Sequence, residues 1–183
     1  MSAQKQPRPE LSGAVGASRR WLTPEPRGLP RTITGPSFSV LIAAYQAADT
    51  LAEAVDSALA QTLQPREIIV CDDASDDDIE GVLAPYGDRV KLIRLERNQG
   101  PAAARNAALR LASAEFVAIL DADDIYLPRW LESIAELASA RPDLAILVTD
   151  EYLELDGERV RRSEVVPFAV EVGGGGRGVM VTR

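Results

Sequence analysis

An α/β fold built on a mostly parallel, doubly wound sheet is the architecture that this 183-residue sequence predicts. Three observations predict it. Strand-like and helix-like patterns alternate about four times between Phe38 and Val148, the order that threads a parallel sheet. The strand candidates are short apolar runs without polar alternation, as strands buried on both faces must be. Two of these runs stop abruptly in carboxylates, at Asp72-Asp73 and at Asp121-Ala122-Asp123-Asp124. That is where open α/β sheets place their ligands.

Residues 38–45, FSVLIAAY, form the first strand by length and composition. Thr50 and Glu53 have capping-box spacing and open a helix expected to reach Leu63, with Leu51, Val55, Ala58 and Leu59 as its apolar stripe. Pro65 bars its continuation, and residues 67–71 make a second strand. After Asp72 and Asp73 come Ala74-Ser75-Asp76-Asp77-Asp78, a short helix to Leu83, a turn at residues 85–88 and a third strand over 90–95. Asn98-Gln99-Gly100-Pro101 then introduces an alanine-rich helix expected to reach Ala112. Pro101 suits a first turn, where its missing N–H is not needed.

Strand four spans 116–120, a run of Phe, Val, Ala, Ile and Leu too short for a helix. A helix over 128–140 follows, with Trp130, Leu131, Ile134 and Leu137 on its inner face. Residues 144–148 and 152–155 are a fifth and sixth strand, and Asp156-Gly157 is a hairpin turn returning through Arg159 to Arg161.

The chain divides into three parts. Residues 1–36 hold half of the prolines and six basic side chains against two acidic ones, and are expected to be a disordered leader. The folded domain is expected over 37–162. Residues 163–183 thin into Gly173–Gly176, and a last strand-like stretch, 179–182, ends where another element is due, so the chain is expected to be truncated at its C-terminus.

Composition narrows the chemistry. The sequence contains no histidine, which removes Ser-His triads, His-ligated zinc and imidazole bases. Its single cysteine, Cys71, lies in an apolar run, excludes an internal disulfide and fits a cytoplasmic protein. The net charge of −8 argues against nucleic acid as the main partner. No apolar segment approaches the roughly 20 residues of a membrane span, so membrane association is not indicated.

The two acidic strand ends should share one edge of the sheet, with Asn98, Gly100, Arg105 and Asn106 in the loop and helix start between them. Isolated Asp-x-Asp pairs are usually solvated turns. Clustered carboxylates facing one arginine are instead the complement of a diphosphate held through a divalent cation.

The order Val40-Leu41-Ile42-Ala43-Ala44-Tyr45, Asp72-Asp73-Ala74-Ser75, Asn98-Gln99-Gly100-Pro101-Ala102-Ala103-Ala104-Arg105-Asn106 and Asp121-Ala122-Asp123-Asp124 resembles the family 2 glycosyltransferases, four motifs in register over 38–150. The resemblance implies a GT-A fold, a Rossmann-like sandwich that binds a nucleotide-sugar donor, most simply a UDP-sugar. It implies that Ala44, Tyr45 and Asp73 face nucleobase and ribose with Asp72 beside them, and that Asn98, Gly100 and Arg105 line the donor site. Asp121 and Asp123 would form the metal pair, with Asp123 the direct ligand of Mn²⁺ or Mg²⁺. Inverting transfer to a hydroxyl of a glycan, lipid or other acceptor would follow. The family's catalytic base lies well downstream, in an acceptor-binding half, and no residue of this sequence is assigned to it.

A phosphorelay receiver would need a lysine after Asp121, and the only lysines are Lys5 and Lys91. A dinucleotide dehydrogenase would need glycines after strand one, and residues 43–49 have none. The remaining rival is a non-catalytic nucleotide-binding or interaction module of the same fold.

Overall fold

A computed structural model describes residues 35–143 and the strands Ile146–Val148, Tyr152–Leu155, Glu158–Arg161 and Val179–Val181. The leader expected over 1–36 lies outside the described residues except for its last two. The Asp156-Gly157 turn and the glycine-rich 163–178 also lie outside them.

The elements follow the predicted order. Strands β1 (Phe38–Ala44), β2 (Glu67–Asp72), β3 (Val90–Arg94) and β4 (Phe116–Asp121) alternate with helices α1 (Leu51–Leu59), α2 (Ile79–Leu83) and α3 (Pro101–Leu109). Helix α4 (Trp130–Ala140) precedes β5 (Ile146–Val148), β6 (Tyr152–Leu155), β7 (Glu158–Arg161) and β8 (Val179–Val181). Among the described residues one six-stranded sheet has the order β3-β2-β1-β4-β8-β5, and every pairing in it is parallel. Strands β6 and β7 form a separate antiparallel pair.

The strands read as continuous apolar runs because both faces are covered. In β1, Phe38, Val40, Ile42 and Ala44 point to one face and Leu41 to the other. Strands β2 and β4 divide in the same way, with Ile68, Val70, Ala118 and Leu120 against Ile69, Cys71, Val117 and Ile119. The first face is filled by Leu51, Ala54, Val55 and Ala58 of α1, Ile79 and Leu83 of α2, and Leu131, Ile134, Ala135 and Ala138 of α4. Only Ala104 and Ala108 of α3 are fully buried on the second, so α3 lies close to the sheet. Burial and the charges of Asp73 and Asp72 push the Cys71 thiol up to about 11.

At the amino-terminal edge, Glu67 ties four segments together. Its Oε1 accepts from Ser39 Oγ at 2.7 Å and from Ser113 N and Oγ at 2.6 and 2.8 Å, and its Oε2 lies 2.6 Å from Lys91 Nζ. Burial by itself would raise this carboxyl. The Lys91 ammonium and the donors from Ser39 and Ser113 outweigh it and hold the group down to about 2.

Four local expectations fail. Thr50 makes no side-chain cap, and its hydroxyl points at Ala47 O, 3.4 Å away. The entry to α1 is held instead by Asp77, whose Oδ2 accepts from Ala48 N at 2.7 Å. The donors that the capping box was expected to serve go to backbone carbonyls instead, Thr50 N to Ala47 O at 3.1 Å and Glu53 N to Thr50 O at 3.0 Å. Helix α1 also ends at Leu59, short of Leu63, and α3 at Leu109, short of Ala112. On α4 the buried stripe is Leu131-Ile134-Ala135-Ala138, and Leu137 is exposed.

Candidate functional site

The strand order turns back at β1: the chain leaves β1 toward β2 on one side, and β4 lies on the other. In open parallel sheets this is where a crevice forms at the carboxyl ends. Register sets its floor. Ala44 of β1 pairs with Asp72 of β2, Asp72 pairs with Arg94 of β3, and Ala43 pairs with Asp121 of β4. The two acidic strand ends therefore do share one edge, separated by the width of β1.

The loops after β1 and β2 are bound to each other. Asp73 N donates to Ala44 O at 2.8 Å, and Gln46 N donates to Ser75 Oγ at 3.1 Å. Each loop carries a non-glycine residue with positive φ, Gln46 at 52° and Ala74 at 60°. An L-residue there costs roughly 1–2 kcal/mol, and such strain collects at functional loops. Ala74→Gly is therefore expected to raise stability by up to about 1 kcal/mol, seen as a higher urea midpoint at unchanged slope. Tyr45 stands at the rim with half of its surface exposed, and Ala44 is buried beneath it.

The carboxylates have separate tasks. Asp72 is 1 % exposed; its Oδ1 accepts from Ser75 N at 2.8 Å and its Oδ2 lies 3.1 Å from Arg94 NH1. Arg94 NH2 also donates to Ser75 O at 2.6 Å, closing the turn. Asp72 thus builds the loop. Asp73, 2 % exposed, accepts from Gln99 N at 2.8 Å and Gly100 N at 2.7 Å. It fixes the peptides that lead into α3, where the helix dipole also favours an anion. Gly100, at φ 87° and ψ 164°, occupies a region open essentially to glycine alone. Asn98 is exposed in the same loop.

One turn into α3, Arg105 follows the buried Ala104 and reaches across to β4, where its NH2 pairs with Asp121 Oδ1. Its Nε is buried with no hydrogen-bond partner among the described residues. Beyond Asp121 the chain turns tightly, Asp124 N donating to Asp121 O at 3.1 Å. Ala122 is buried, and Asp123 and Asp124 are exposed.

The segment after these acids is anchored by residues that sequence reasoning missed. Gln61 is buried at the end of α1; its Nε2 donates to Leu127 O at 2.8 Å and its Oε1 accepts from Leu131 N at 2.9 Å. Ser57 Oγ accepts from Tyr126 N, and Tyr126 OH donates to Ile119 O. The Tyr126 ring stacks on Trp130 at 4.1 Å. Arg94 was missed as well, although its place opposite Asp72 follows once the β2–β3 register is known.

As a cation site, the edge offers Asp121 and Asp123. Among the described residues no group of three His, Cys, Asp or Glu side chains could cage an ion. Asp121 and Asp123 are the residues that could hold Mg²⁺ or Mn²⁺ here, with the remaining oxygen ligands coming from outside the protein.

A parallel α/β sheet that gathers Asp72, Asp73, Arg105 and Asp121 at its carboxyl edge has its polar groups where open α/β proteins bind their ligands. The sequence matches the family described as Glycosyl transferase family 2 over residues 39–177, and the chain belongs to that family. It is 39% identical over 127 residues to the succinoglycan biosynthesis protein ExoO of Rhizobium meliloti, covering 69% of this chain and 36% of that protein. It is 40% identical over 95 residues to the Escherichia coli UDP-Glc:alpha-D-GlcNAc-diphosphoundecaprenol beta-1,3-glucosyltransferase WfgD, covering 51% of this chain and 38% of WfgD. The crystal structure of S. aureus TarS 1-349 in complex with UDP superposes with a TM-score of 0.60 at 28% identity, covering 69% of this chain and 38% of that one. The GT-A fold is thereby established, and the chain spans well under half the length of these relatives. Among the described residues no helix is long and apolar enough to cross a membrane.

Proposed function

We propose that this chain carries the donor site of a glycosyltransferase that takes a UDP-sugar together with Mn²⁺ or Mg²⁺ and transfers the sugar, with inversion, to a hydroxyl of a glycan or lipid acceptor. The observation that carries the reading is the pairing of Arg105 with Asp121 at the carboxyl edge of the sheet, where a guanidinium and an acidic strand end meet. The UDP seen in TarS and the UDP-glucose named for WfgD support the choice of nucleotide. The diphosphoundecaprenol in the WfgD name supports a lipid-linked acceptor. Cytoplasmic placement is part of the proposal and is consistent with the single, buried thiol.

In this reading Tyr45 borders the base, with Asp73 beneath as the residue that fixes the surrounding loop and Asp72 as the residue that shapes it. Asn98, Gly100 and Arg105 border the diphosphate, and Asp121 and Asp123 hold the cation. When bound, the cation would neutralise the departing nucleoside diphosphate.

Calorimetric titration of UDP into the 183-residue chain, with and without Mn²⁺, tests the reading. Binding is expected to require Mn²⁺ and to weaken at least tenfold in Asp123→Asn, the size of a lost charged ligand contact of about 1.4 kcal/mol or more. A folded sample that binds no UDP in either condition overturns it. A sample that binds UDP equally well with and without Mn²⁺ removes the metal from it and leaves a nucleotide-binding module.

A further inference from the structure

Arg105 and Asp121 neutralise each other in this structure. They come from different elements, the second turn of α3 and the last residue of β4, and both side chains are about one-third exposed. We propose that the pair is a latch that selects the preassembled cation–diphosphate complex over either component alone. This rests on the nucleotide-and-cation reading given above.

The argument is electrostatic. A bare divalent cation at Asp121, whether it displaces the single NH2–Oδ1 contact or uses the other carboxylate oxygen, stands beside a guanidinium of like charge. A bare diphosphate at Arg105 competes with the Asp121 carboxylate for the guanidinium and is repelled by that like charge. The complex brings both charges at once, so each member of the pair exchanges one partner for another. The guanidinium passes to phosphate oxygens, which it can grip with two parallel N–H donors. The carboxylate passes to the cation. The scarcity of other ligands reinforces the selection, because no three acidic side chains among the described residues form a cage that would hold a cation by itself.

Single-ligand affinities isolate the latch, because a cation and a nucleotide attract each other in solution without any protein. Removing Arg105 should free Asp121, so Arg105→Gln is expected to bind Mn²⁺ alone several-fold more tightly than the parent chain, measured by electron paramagnetic resonance of free Mn²⁺. Removing the carboxylate should free Arg105, so Asp121→Asn is expected to bind UDP alone more tightly while losing the enhancement by Mn²⁺. The charge-matched control is Arg97→Gln, an exposed arginine near the same loop that is not part of the pair; it should leave Mn²⁺ affinity unchanged. Mn²⁺ binding that is equal in Arg105→Gln and the parent, or that tightens as much in Arg97→Gln, overturns the latch even when UDP with Mn²⁺ binds normally. Should Arg105→Gln fail to fold, UDP-alone binding by Asp121→Asn decides it, and unchanged or weaker binding overturns it. Failure of the parent chain to bind UDP under any condition overturns the donor-site reading itself, a separate result.

Discussion

Asp73→Ala is expected to lower folding stability by about 2 kcal/mol and to weaken binding of UDP with Mn²⁺ at least tenfold. Among the described residues the carboxylate is the acceptor for both Gln99 N and Gly100 N, and the Asp73 backbone N–H is tied to Ala44 O. Truncation leaves two peptide donors at the start of α3 to partly screened water and removes a negative charge from the helix N-terminus. The first effect costs about 1 kcal/mol or more per donor and the second a few tenths. Arg105 sits one turn further along that helix, so an error in the start of α3 becomes an error in the position of the guanidinium. Misplacement by about 1 Å is enough for large losses at such sites. Asp73→Asn keeps one acceptor oxygen and should fall between the two proteins. Thermal denaturation and UDP calorimetry on the three proteins check this, and an Asp73→Ala chain with unchanged midpoint would remove the positioning role.

The second large effect lies at the opposite edge. Glu67 falls from an ordinary carboxyl value of 4.5 to about 2 on folding. A group lowered in this way stabilises the native state fully above its unfolded value and loses that contribution as the pH falls from about 4.5 to about 2. The shift corresponds to roughly 3 kcal/mol at neutral pH. Glu67→Ala is therefore expected to be less stable at pH 7 and to flatten the decline of stability between pH 4.5 and 2. Glu67→Gln should lose less, because an amide oxygen still accepts from Ser39 and Ser113 while only the half-exposed Lys91 loses its partner. Urea titrations across that pH range give both numbers. A variant that keeps the parent's acid limb would show that Glu67 contributes no pH dependence.

What the sequence made legible was whatever local chemistry determines. The strands were visible because Phe38 to Ala44 and Phe116 to Leu120 have to be apolar on both faces, and the shared acidic edge followed from a parallel order alone. Asp121, Asp123 and Arg105 were singled out by residue type and spacing, and the sheet does bring Arg105 and Asp121 together. Interactions that depend on distant partners stayed hidden. Thr50 and Glu53 have the spacing of a capping box, yet their N–H groups go to Ala47 O and Thr50 O, and Asp77 reaches from the next loop to hold Ala48 N just before the helix. Asp72 resembles Asp73 in sequence, and only the β2–β3 register pairs it with Arg94. Gln61 reads as the polar tail of a helix until Leu127 and Leu131 are seen on either side of its amide. The insertion of β8 between β4 and β5 is a non-local pairing that no periodicity encodes.

The same architecture equips the chain with an internal reporter. Cys71 is its only thiol, sits in the strand between β1 and β3, and is fully buried with its ionisation pushed up to about 11. Thiolate is the reactive form, so in the native state the sulfur is shielded twice, by packing and by its proton. Alkylation then reads out how often the centre of the sheet opens, and its rate is a direct gauge of opening free energy. Ligands that close the carboxyl edge should slow it, so donor binding can be followed from the reactivity of an atom no donor touches.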